Sequence, residues 1–403
     1  MAAATNGPLS GIKVLDLTSV FMGPHCTQIL AEHGADVIKL EAPEGDIVRK
    51  IPPARHDGMG ALFLLANRGK RSIVLDLKTP TGNVAALKLA AQCDVLIYSL
   101  RPQAMARMGL SYAEVAAVNP RIIYVGAFGY GQEGRYAAHP AYDDLIQAAA
   151  GLASLPNRVT GAEPRYVPCA IVDRTVALAA ANAVTTALFH RERTGQGQAI
   201  EVPMFETMAQ LVLGEHLYGH AFEPPLAGLG YPRSLAPDRR PYQTKDGYIA
   251  VLIYTDRHWR AFLEFIGQPN LIGDDRFKNM NSRTQNITAV YAFVAEILRT
   301  RATSEWLKVF HGADVPAMPM QTLEELLDDP HLNAVKLFET TQHPTEGTIR
   351  HLRNPISWSS LPIGTTRHAP RLGEHSREVL RDVGYSEREI EHMLNANVTM
   401  EPQ

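Results

Sequence analysis

Residues 12–17 read IKVLDL, and residues 36–40 read DVIKL. Both segments are short and apolar, which is typical of buried strands. The intervening stretch predicts a helix from Pro24 to His33, which ends at Gly34, a residue that commonly follows the last helical turn. A strand, a helix and a second strand in such close succession predict a βαβ unit with two parallel strands.

The same alternation continues through the first 200 residues. Further strands are predicted at 72–77, 94–98 and 121–125, with a helix over 80–92 and a capping box at 111–114. Strands separated by helices predict an α/β fold with a parallel sheet and with ligands at the carboxyl ends of the strands.

The pattern changes after residue 200. A long segment rich in Pro, Gly and Arg covers 219–241, and a strand is predicted at 247–253. Helical patterns follow near 255–266, 286–300, 303–311 and 322–329. One strand with several helices predicts a smaller α+β domain.

Composition narrows the function. The chain has 403 residues, of which 45% are hydrophobic and 20% charged, and a net charge of -3. This balance excludes nucleic-acid binding as the main function, because no basic surplus is present to neutralise phosphates. The N-terminus lacks a secretory pattern, and no run was found to be apolar over the 18 or so residues of a membrane span, so we expect a cytoplasmic protein with no membrane partner. Three cysteines, Cys26, Cys93 and Cys169, predict neither disulfides nor a metal site.

Two features could carry chemistry. Four glycines follow the strand at 121–125: Gly126, Gly129, Gly131 and Gly134. They predict either a loop that a ligand approaches closely or a flexible surface turn. Asp173 stands where a helix is predicted to begin, so we expect an N-cap whose carboxylate the helix keeps ionised, and such a carboxylate could act as a nucleophile. Cys169 is expected to be a buried packing residue rather than a nucleophile.

A series of motifs, in order, resembles the class III CoA-transferase family, which also contains the α-methylacyl-CoA racemases. The similar segments fall at 9–18, 23–24, 34–41, 45–46, 67–72, 107–110, 129–134, 194–197, 246–248, 343–344 and 371–375. Together they extend over residues 9–395, essentially the whole chain.

The resemblance implies a fold. A large Rossmann-like domain with a parallel sheet would comprise residues 1–200 and 340–403, and a small α+β domain residues 225–330. Residues 201–224 and 331–339 would link them. In this family two chains thread through each other as interlocked rings, so we expect a homodimer.

The resemblance also implies an activity. Asp173 corresponds to the family's nucleophile, which exchanges acyl groups with coenzyme A through an anhydride and an aspartyl-CoA thioester. The CoA thioester would be a substrate, with no permanently bound cofactor and no metal. An active-site loop would contain Gly129, Gly131, Gln132, Gly134 and Tyr142. Its N–H groups could hold the oxyanion.

Other positions are assigned to ligands. The CoA contacts expected by resemblance are Val20, Lys70, Arg71, Arg101 and Arg107. The acceptor's second charge could be met by Arg174, Arg135 or Arg233. The sequence departs from the family at Ala42, Ser99-Leu100, Pro140 and Ala177.

The resemblance favours a succinyl-CoA-dependent transferase that acts on a small carboxylate or dicarboxylate. Two alternatives stay open: an α-methylacyl-CoA racemase and a non-catalytic acyl-CoA-binding protein. Racemases carry a proton-shuttling His where Tyr142 stands, and an ordinary tyrosine is a poor base for that step. The retained Asp173 argues against the non-catalytic alternative.

Overall fold

The computed structural model describes residues 7–361, 363–364 and 367–402. Within these residues the chain forms two compact units. Of the described residues, the first unit comprises 7–150, 167–210, 333–361, 363–364 and 367–402, and the second comprises Gly151–Tyr166 and Leu211–Leu332. Gly151–Tyr166, inside the predicted large domain, therefore clusters with the second unit. The predicted linker boundaries stay a prediction.

A six-stranded parallel sheet forms the centre of the first unit, as the alternating pattern predicted. Its strands are β1 (Lys13–Leu17), β2 (Asp36–Glu41), β3 (Lys70–Val74), β4 (Val95–Tyr98), β5 (Ile123–Phe128) and β6 (Gln198–Pro203). They lie in the order β3-β2-β1-β4-β5-β6, which is the doubly wound order with its switch point between β1 and β4. A ligand site is expected just beyond the carboxyl ends of these two strands.

Helices connect the strands. They are α1 (Met22–Glu32), α2 (Ala61–Ala66), α3 (Pro80–Ala91), α4 (Pro102–Arg107), α5 (Tyr112–Val118), α6 (Asp143–Ala149) and α8 (Ile171–Thr194), while α7 (Leu155–Thr160) belongs to the second unit. The predicted capping box is present at the start of α5, where Ser111 and Glu114 bond each other's backbone amides. Apolar residues of the strands and of α3 pack into one buried core.

Several boundaries differ from the sequence prediction by a few residues, and two of these differences have a clear physical reason. Helix α1 begins at Met22 rather than Pro24, which a proline in the first turn permits because its missing N–H needs no partner there. Strand β3 begins at Lys70, before the apolar run starts. Its first two residues are charged yet buried, because each is paired with a carboxylate, and hydrophobic patterning cannot reveal such a strand start.

Helix α8 corrects an expectation about membrane spans. Within the described residues it is long and apolar enough to cross a membrane, judged by length and composition only. A buried core helix meets the same test. One face of α8 is buried in the protein, through residues that include Val176, Ala180, Val184 and Leu188.

The C-terminal part of the first unit adds a hairpin and two helices. Strands β10 (Phe338–His343) and β11 (Gly347–Leu352) pair antiparallel, and α16 (Ser376–Asp382) and α17 (Glu387–Asn395) follow. Val379, Leu380, Ile390 and Met393 of these helices are buried in the same core as the sheet. The two ends of the chain therefore build one hydrophobic core.

The second unit has its own aromatic core. Its sheet contains β7 (Tyr242–Gln243), β8 (Tyr248–Val251) and β9 (Ala317–Pro319), all antiparallel. Its helices are α10 (Asp256–Phe265), α11 (Met280–Gln285), α12 (Ile287–Leu298), α13 (Thr303–Gly312) and α14 (Leu323–Leu327). The chain crosses between the units at Ala150–Gly151 and Tyr166–Val167, and again within α9 (Met204–His216) and α15 (Pro330–Ala334). Short 3-10 helices occur in both units: Ile47–Lys50 in the first, and Leu152–Ser154, Tyr218–Ala221 and Pro269–Gly273 in the second. Trp259, Phe262, Trp306 and Phe310 are buried together in the core.

Candidate active site

A cavity of about 280 Å³ lies in the first unit at the predicted edge of the sheet. Its walls come from the segments that follow β1, β4 and β5, together with the start of α8. Six of the residues selected from the sequence line it: Val20, Arg101, Gly129, Gln132, Tyr142 and Asp173. The fold therefore gathers residues that are up to 153 positions apart in the chain, Val20 and Asp173 being the outermost.

Asp173 occupies the first turn of α8, but it is not the N-cap that the sequence predicted. The helix begins at Ile171, and its N-cap is Ala170, which has no side chain that could cap the helix. The third helical position still lies among the unpaired N–H groups of the first turn. The Asp173 amide donates a hydrogen bond to Oδ2 of Asp143, at 2.9 Å.

The pKa of Asp173 also differs from the prediction, which was that the helix keeps its carboxylate ionised. Burial and, second, the nearby Asp143 carboxylate raise its pKa to about 7, from an ordinary value of 3.8. The favourable effect of the helix N-terminus is therefore outweighed. Near neutral pH Asp173 is poised between its two protonation states, and a carboxylate held in this way is more basic and more nucleophilic than a solvated one.

The glycine loop follows β5 and begins at Gly129. A Cβ at Gly129 would lie 2.2 Å from the Cβ of Ala141, so only glycine fits there. Two amides of the loop are already engaged: Gly131 N–H donates to Glu206 at 2.9 Å, and Gln132 N–H donates to Glu201 at 3.2 Å. In this conformation these two amides are not available to an oxyanion, contrary to expectation. Gly134 and Gly131 lie in the loop but not among the residues that line the cavity.

Tyr142 stands at the mouth of the cavity. It is the N-cap residue of α6, and its side chain is 61% exposed. This exposure leaves most of the residue accessible to solvent. The next residue, Asp143, is the one that contacts Asp173.

A second cavity, of about 550 Å³, lies beyond the ends of β1, β2 and β3. Arg107 lines it, as do Lys78 and Asn83, neither of which was predicted from the sequence. The sequence signal for Lys78 was its position directly after the predicted strand at 72–77, at the carboxyl edge of the sheet. Ser19 and Leu100 line both cavities, so the two cavities adjoin.

Lys70 and Arg71 are not among the residues that line the two cavities, and both are paired with carboxylates of the protein. Lys70 Nζ is fully buried and contacts Asp16, at 3.1 Å, and Asn67. Arg71 binds Asp36, and it also bonds Glu378 and Asp382 of α16, which joins the C-terminal segment to the sheet. The geometry gives these two residues a structural role and offers no support for their assignment to CoA.

The three acceptor candidates have different surroundings. Arg174 is exposed beside Asp173, and its guanidinium carbon lies 5.0 Å from the ring centre of Phe21, a residue of the first cavity. Arg135 is exposed on the glycine loop. Arg233 belongs to the second unit, where Nε donates to the hydroxyl of Tyr291.

Metal ligands and cysteine thiols are the other groups that could carry chemistry. Among the described residues no group of three or more His, Cys, Asp or Glu side chains is placed to hold a metal ion. Cys169 is exposed rather than buried as expected. Burial raises the pKa of Cys26 and of Cys93 to about 12, so neither forms a reactive thiolate.

The chain is similar to known proteins over nearly its whole length. The chain is 32% identical to the succinate–glutarate CoA-transferase of Agrobacterium fabrum, over 94% of this chain and 97% of that protein. It is 30% identical to the human succinyl-CoA:glutarate CoA-transferase, over 97% and 90%. A solved structure of a CaiB/BaiF family protein from Brucella suis covers 94% of this chain and all of its own, with a TM-score of 0.78 and 30% identity. The family model for CoA-transferase family III matches residues 9–376, and the chain belongs to that family of enzymes.

Proposed function

We propose that this CoA-transferase moves CoA from succinyl-CoA to a small dicarboxylate through covalent intermediates on Asp173. The observation that carries the proposal is the partly buried Asp173 carboxylate, with its raised pKa, at the wall of a cavity at the switch point of the sheet. The relatives named for succinate, glutarate and mesaconate support the donor and the class of acceptor.

The first half of the reaction transfers CoA to the enzyme. An oxygen of ionised Asp173 attacks the thioester carbonyl, the C–S bond breaks, and CoA leaves as a thiolate. This step forms a mixed anhydride between Asp173 and the donor acyl group. The thiolate then attacks the Asp173 carbonyl carbon, which releases the donor as a carboxylate and leaves an aspartyl-CoA thioester.

The second half repeats these steps with the acceptor. The acceptor carboxylate attacks the aspartyl thioester and expels the thiolate, so that a second anhydride forms. The thiolate attacks the acceptor carbonyl, which gives the new thioester and restores ionised Asp173. No net proton transfer is required, so the residues have to supply orientation and charge stabilisation rather than a general base.

The second cavity is suited to the nucleotide part of CoA. Lys78 and Arg107 place two cations around it, and Lys78 is highly exposed, with only a weak contact of 3.8 Å to Glu44. Phosphate groups are bound by cations of this kind. Because the cavities adjoin at Ser19 and Leu100, one CoA thioester could extend from the nucleotide cavity to Asp173.

We further propose that the enzyme works as an interlocked homodimer. Large apolar side chains are exposed on α8 and on α9 and the segment after it: Leu178, Phe189, Leu211, Leu213, Phe222 and Leu226. Exposed apolar side chains are typical of a protein interface where they form a continuous patch, and we propose that the partner chain covers these residues. Light scattering should give about twice the 44.3 kDa of one chain, at all concentrations at which the chain is folded. A folded monomer that persists on dilution would contradict the dimer.

The transfer is tested with succinyl-CoA and a panel of mono- and dicarboxylates, by mass analysis of the thioesters formed. Hydroxylamine added during turnover should modify Asp173, and Asp173→Ala should abolish transfer while Asp144→Ala, an exposed neighbour of Asp143, retains it. A racemase would instead exchange the α-proton of a 2-methylacyl-CoA with deuterated water. Exchange without transfer, or full transfer by Asp173→Ala, would overturn the proposal.

A further inference from the structure

The turn between β1 and α1 contains a strained residue. Val20 has a φ of +69°, in the left-handed region. A β-branched side chain rarely adopts this conformation, because its Cβ substituents clash with the backbone. Such residues persist only where their surroundings hold them in place, and they concentrate at functional sites. Val20 therefore has to be held in this conformation by neighbouring groups.

Two buried charged side chains, Lys39 and Asp46, form hydrogen bonds with the backbone of this turn. Asp46 accepts the Val20 N–H on Oδ1, at 3.1 Å, and its Oδ2 pairs with Lys39 Nζ at 3.0 Å. Lys39 Nζ in turn donates to the carbonyl of Thr18, at 2.9 Å. The side chains of Lys39 and Asp46 are 0% and 1% exposed. The ion pair therefore holds both ends of the turn, because Lys39 binds the Thr18 carbonyl and Asp46 binds the Val20 N–H.

Other side chains bind two further amides of the turn. Asp16 accepts the Thr18 N–H at 2.9 Å, and Ser99 accepts the Ser19 N–H at 3.3 Å. The Val20 side chain packs against a small apolar cluster that includes Val48. The Val48 N–H also donates to Asp46, at 3.3 Å. Asp46 therefore aligns both the turn and the apolar cluster that Val20 contacts.

The turn lies where the two cavities meet. Ser19 lines both of them, Val20 lines the cavity of Asp173, and Asp46 lines the nucleotide cavity. A CoA molecule that reaches from one cavity to the other has to pass over this turn. A change in the direction of its backbone would alter the path between the nucleotide cavity and Asp173.

We propose that the buried Lys39–Asp46 pair is a positioning pair for CoA, which holds Val20 in its left-handed conformation and so fixes the turn over which CoA passes. The inference rests on the proposed binding of CoA to this site. Neither side chain has to touch the substrate. The pair acts through the backbone of Thr18 and Val20, and its removal should affect the binding of CoA more than the chemistry at Asp173.

The test compares Asp46→Asn in three backgrounds: the unchanged protein, Val20→Gly and Val20→Ile. Glycine adopts a positive φ without strain, whereas isoleucine keeps the β-branch. The affinity for free CoA is measured by calorimetry, and KM and kcat are measured with succinyl-CoA. In the unchanged and isoleucine backgrounds, Asp46→Asn should weaken CoA binding and raise KM by roughly 10-fold, with kcat changed less than about threefold. In the glycine background the same substitution should weaken CoA binding by less than about threefold.

A matched control removes one charge from another ion pair of the unit. Asp94→Asn breaks the pair between Asp94 and the buried Arg191, at 2.9 Å, which lies outside both cavities. It should lower the thermal stability and leave the affinity for CoA unchanged. If Asp46→Asn does not fold, Asp46→Glu replaces it, since it keeps the charge beside Lys39 but moves the acceptor away from the Val20 amide.

Equal loss of CoA affinity from the Asp46 change in all three backgrounds would overturn the positioning role, as would a loss confined to kcat. Failure of the positioning role can be distinguished from failure of the proposed function. If the unchanged protein binds CoA but transfers none, the transfer proposal fails and the positioning role is still tested by calorimetry. If the unchanged protein does not bind free CoA, both proposals fail.

Discussion

The amide of Asp173 donates a hydrogen bond to the carboxylate of Asp143, at 2.9 Å. The contact satisfies an N–H of the first turn of α8, but it also places a second negative charge beside the Asp173 carboxyl, whose pKa is raised to about 7 by burial and by Asp143. One residue therefore both anchors the backbone of the proposed nucleophile and tunes its proton affinity.

The pH dependence of transfer should follow from this contact. The ionised form of Asp173 attacks the thioester, so kcat/KM should rise with pH and level off above about 7. Asp143→Asn removes the neighbouring charge, so the rise should move to lower pH. Asp144→Asn, the same change at an exposed neighbour, should leave the profile in place. A profile that Asp143→Asn does not shift would show that the Asp143 charge has no part in it.

The Asp143→Asn variant should also lose stability. In the native protein Asp143 accepts from the Asp173 amide and from Gln147 Nε2, at 2.7 Å. An asparagine has one acceptor oxygen, and Gln147 cannot turn its amide because its Oε1 accepts the Val167 N–H. One hydrogen bond is therefore lost, at a cost of about 1 kcal/mol in the free energy of unfolding. Chemical denaturation at a pH well below the pKa of Asp173 measures this cost, because that carboxyl is then protonated and the loss of the Asp143 charge relieves no repulsion. An unchanged midpoint would contradict the role of Gln147.

Asp173 should destabilise the fold at neutral and alkaline pH. Its pKa rises from 3.8 to about 7 on folding, so between these values the folded state holds more protons and stability falls as the pH rises. Asp173→Asn removes this effect and should be more stable than the unchanged protein at pH 8, by about 1–2 kcal/mol after allowance for partial solvation. The difference should vanish near pH 4. Equal stability of the two proteins at pH 8 would contradict the raised pKa.

Gly129 should be replaceable only together with Ala141. A methyl group at Gly129 would lie 2.2 Å from the Cβ of Ala141, so Gly129→Ala has to displace the glycine loop beside Asp173. We expect kcat/KM to fall by roughly 10- to 100-fold, because small misplacements of reacting groups are costly. The double variant with Ala141→Gly removes the clash and should recover most of the loss. A double variant no better than Gly129→Ala would show that steric contact is not the cause.

Arg174 should distinguish dicarboxylate from monocarboxylate acceptors. It neighbours Asp173 and lies over Phe21, so its charge can reach an anion in the first cavity. Arg174→Ala should raise KM for a dicarboxylate acceptor by roughly 10- to 100-fold, and it should hardly change KM for a monocarboxylate of equal length. Arg193, which lies over Phe189 near the other end of α8, is the matched control. Equal effects on both acceptor types would place the recognition of the second charge elsewhere.

Much of the fold followed from local sequence. The apolar strands, the helices between them and the capping box at Ser111 obey short-range rules of periodicity and backbone hydrogen bonding, and they predicted the parallel sheet and the edge at which the cavity lies. The family resemblance then singled out Asp173, and the motifs in order indicated the CoA-transferase family.

The protonation and the partners of these residues depended on tertiary structure. The family resemblance implied that Lys70 contacts CoA, whereas in the folded chain it is buried against Asp16. Asp173 looked like an ionised cap until its burial beside Asp143, 30 residues away, raised its pKa. The strain at Val20 and the Asp46 contact that holds it are likewise invisible in the sequence. Charge, burial and backbone strain arise from groups distant in the chain, so the sequence determined which elements form, whereas the packing of those elements decided what each polar group can do.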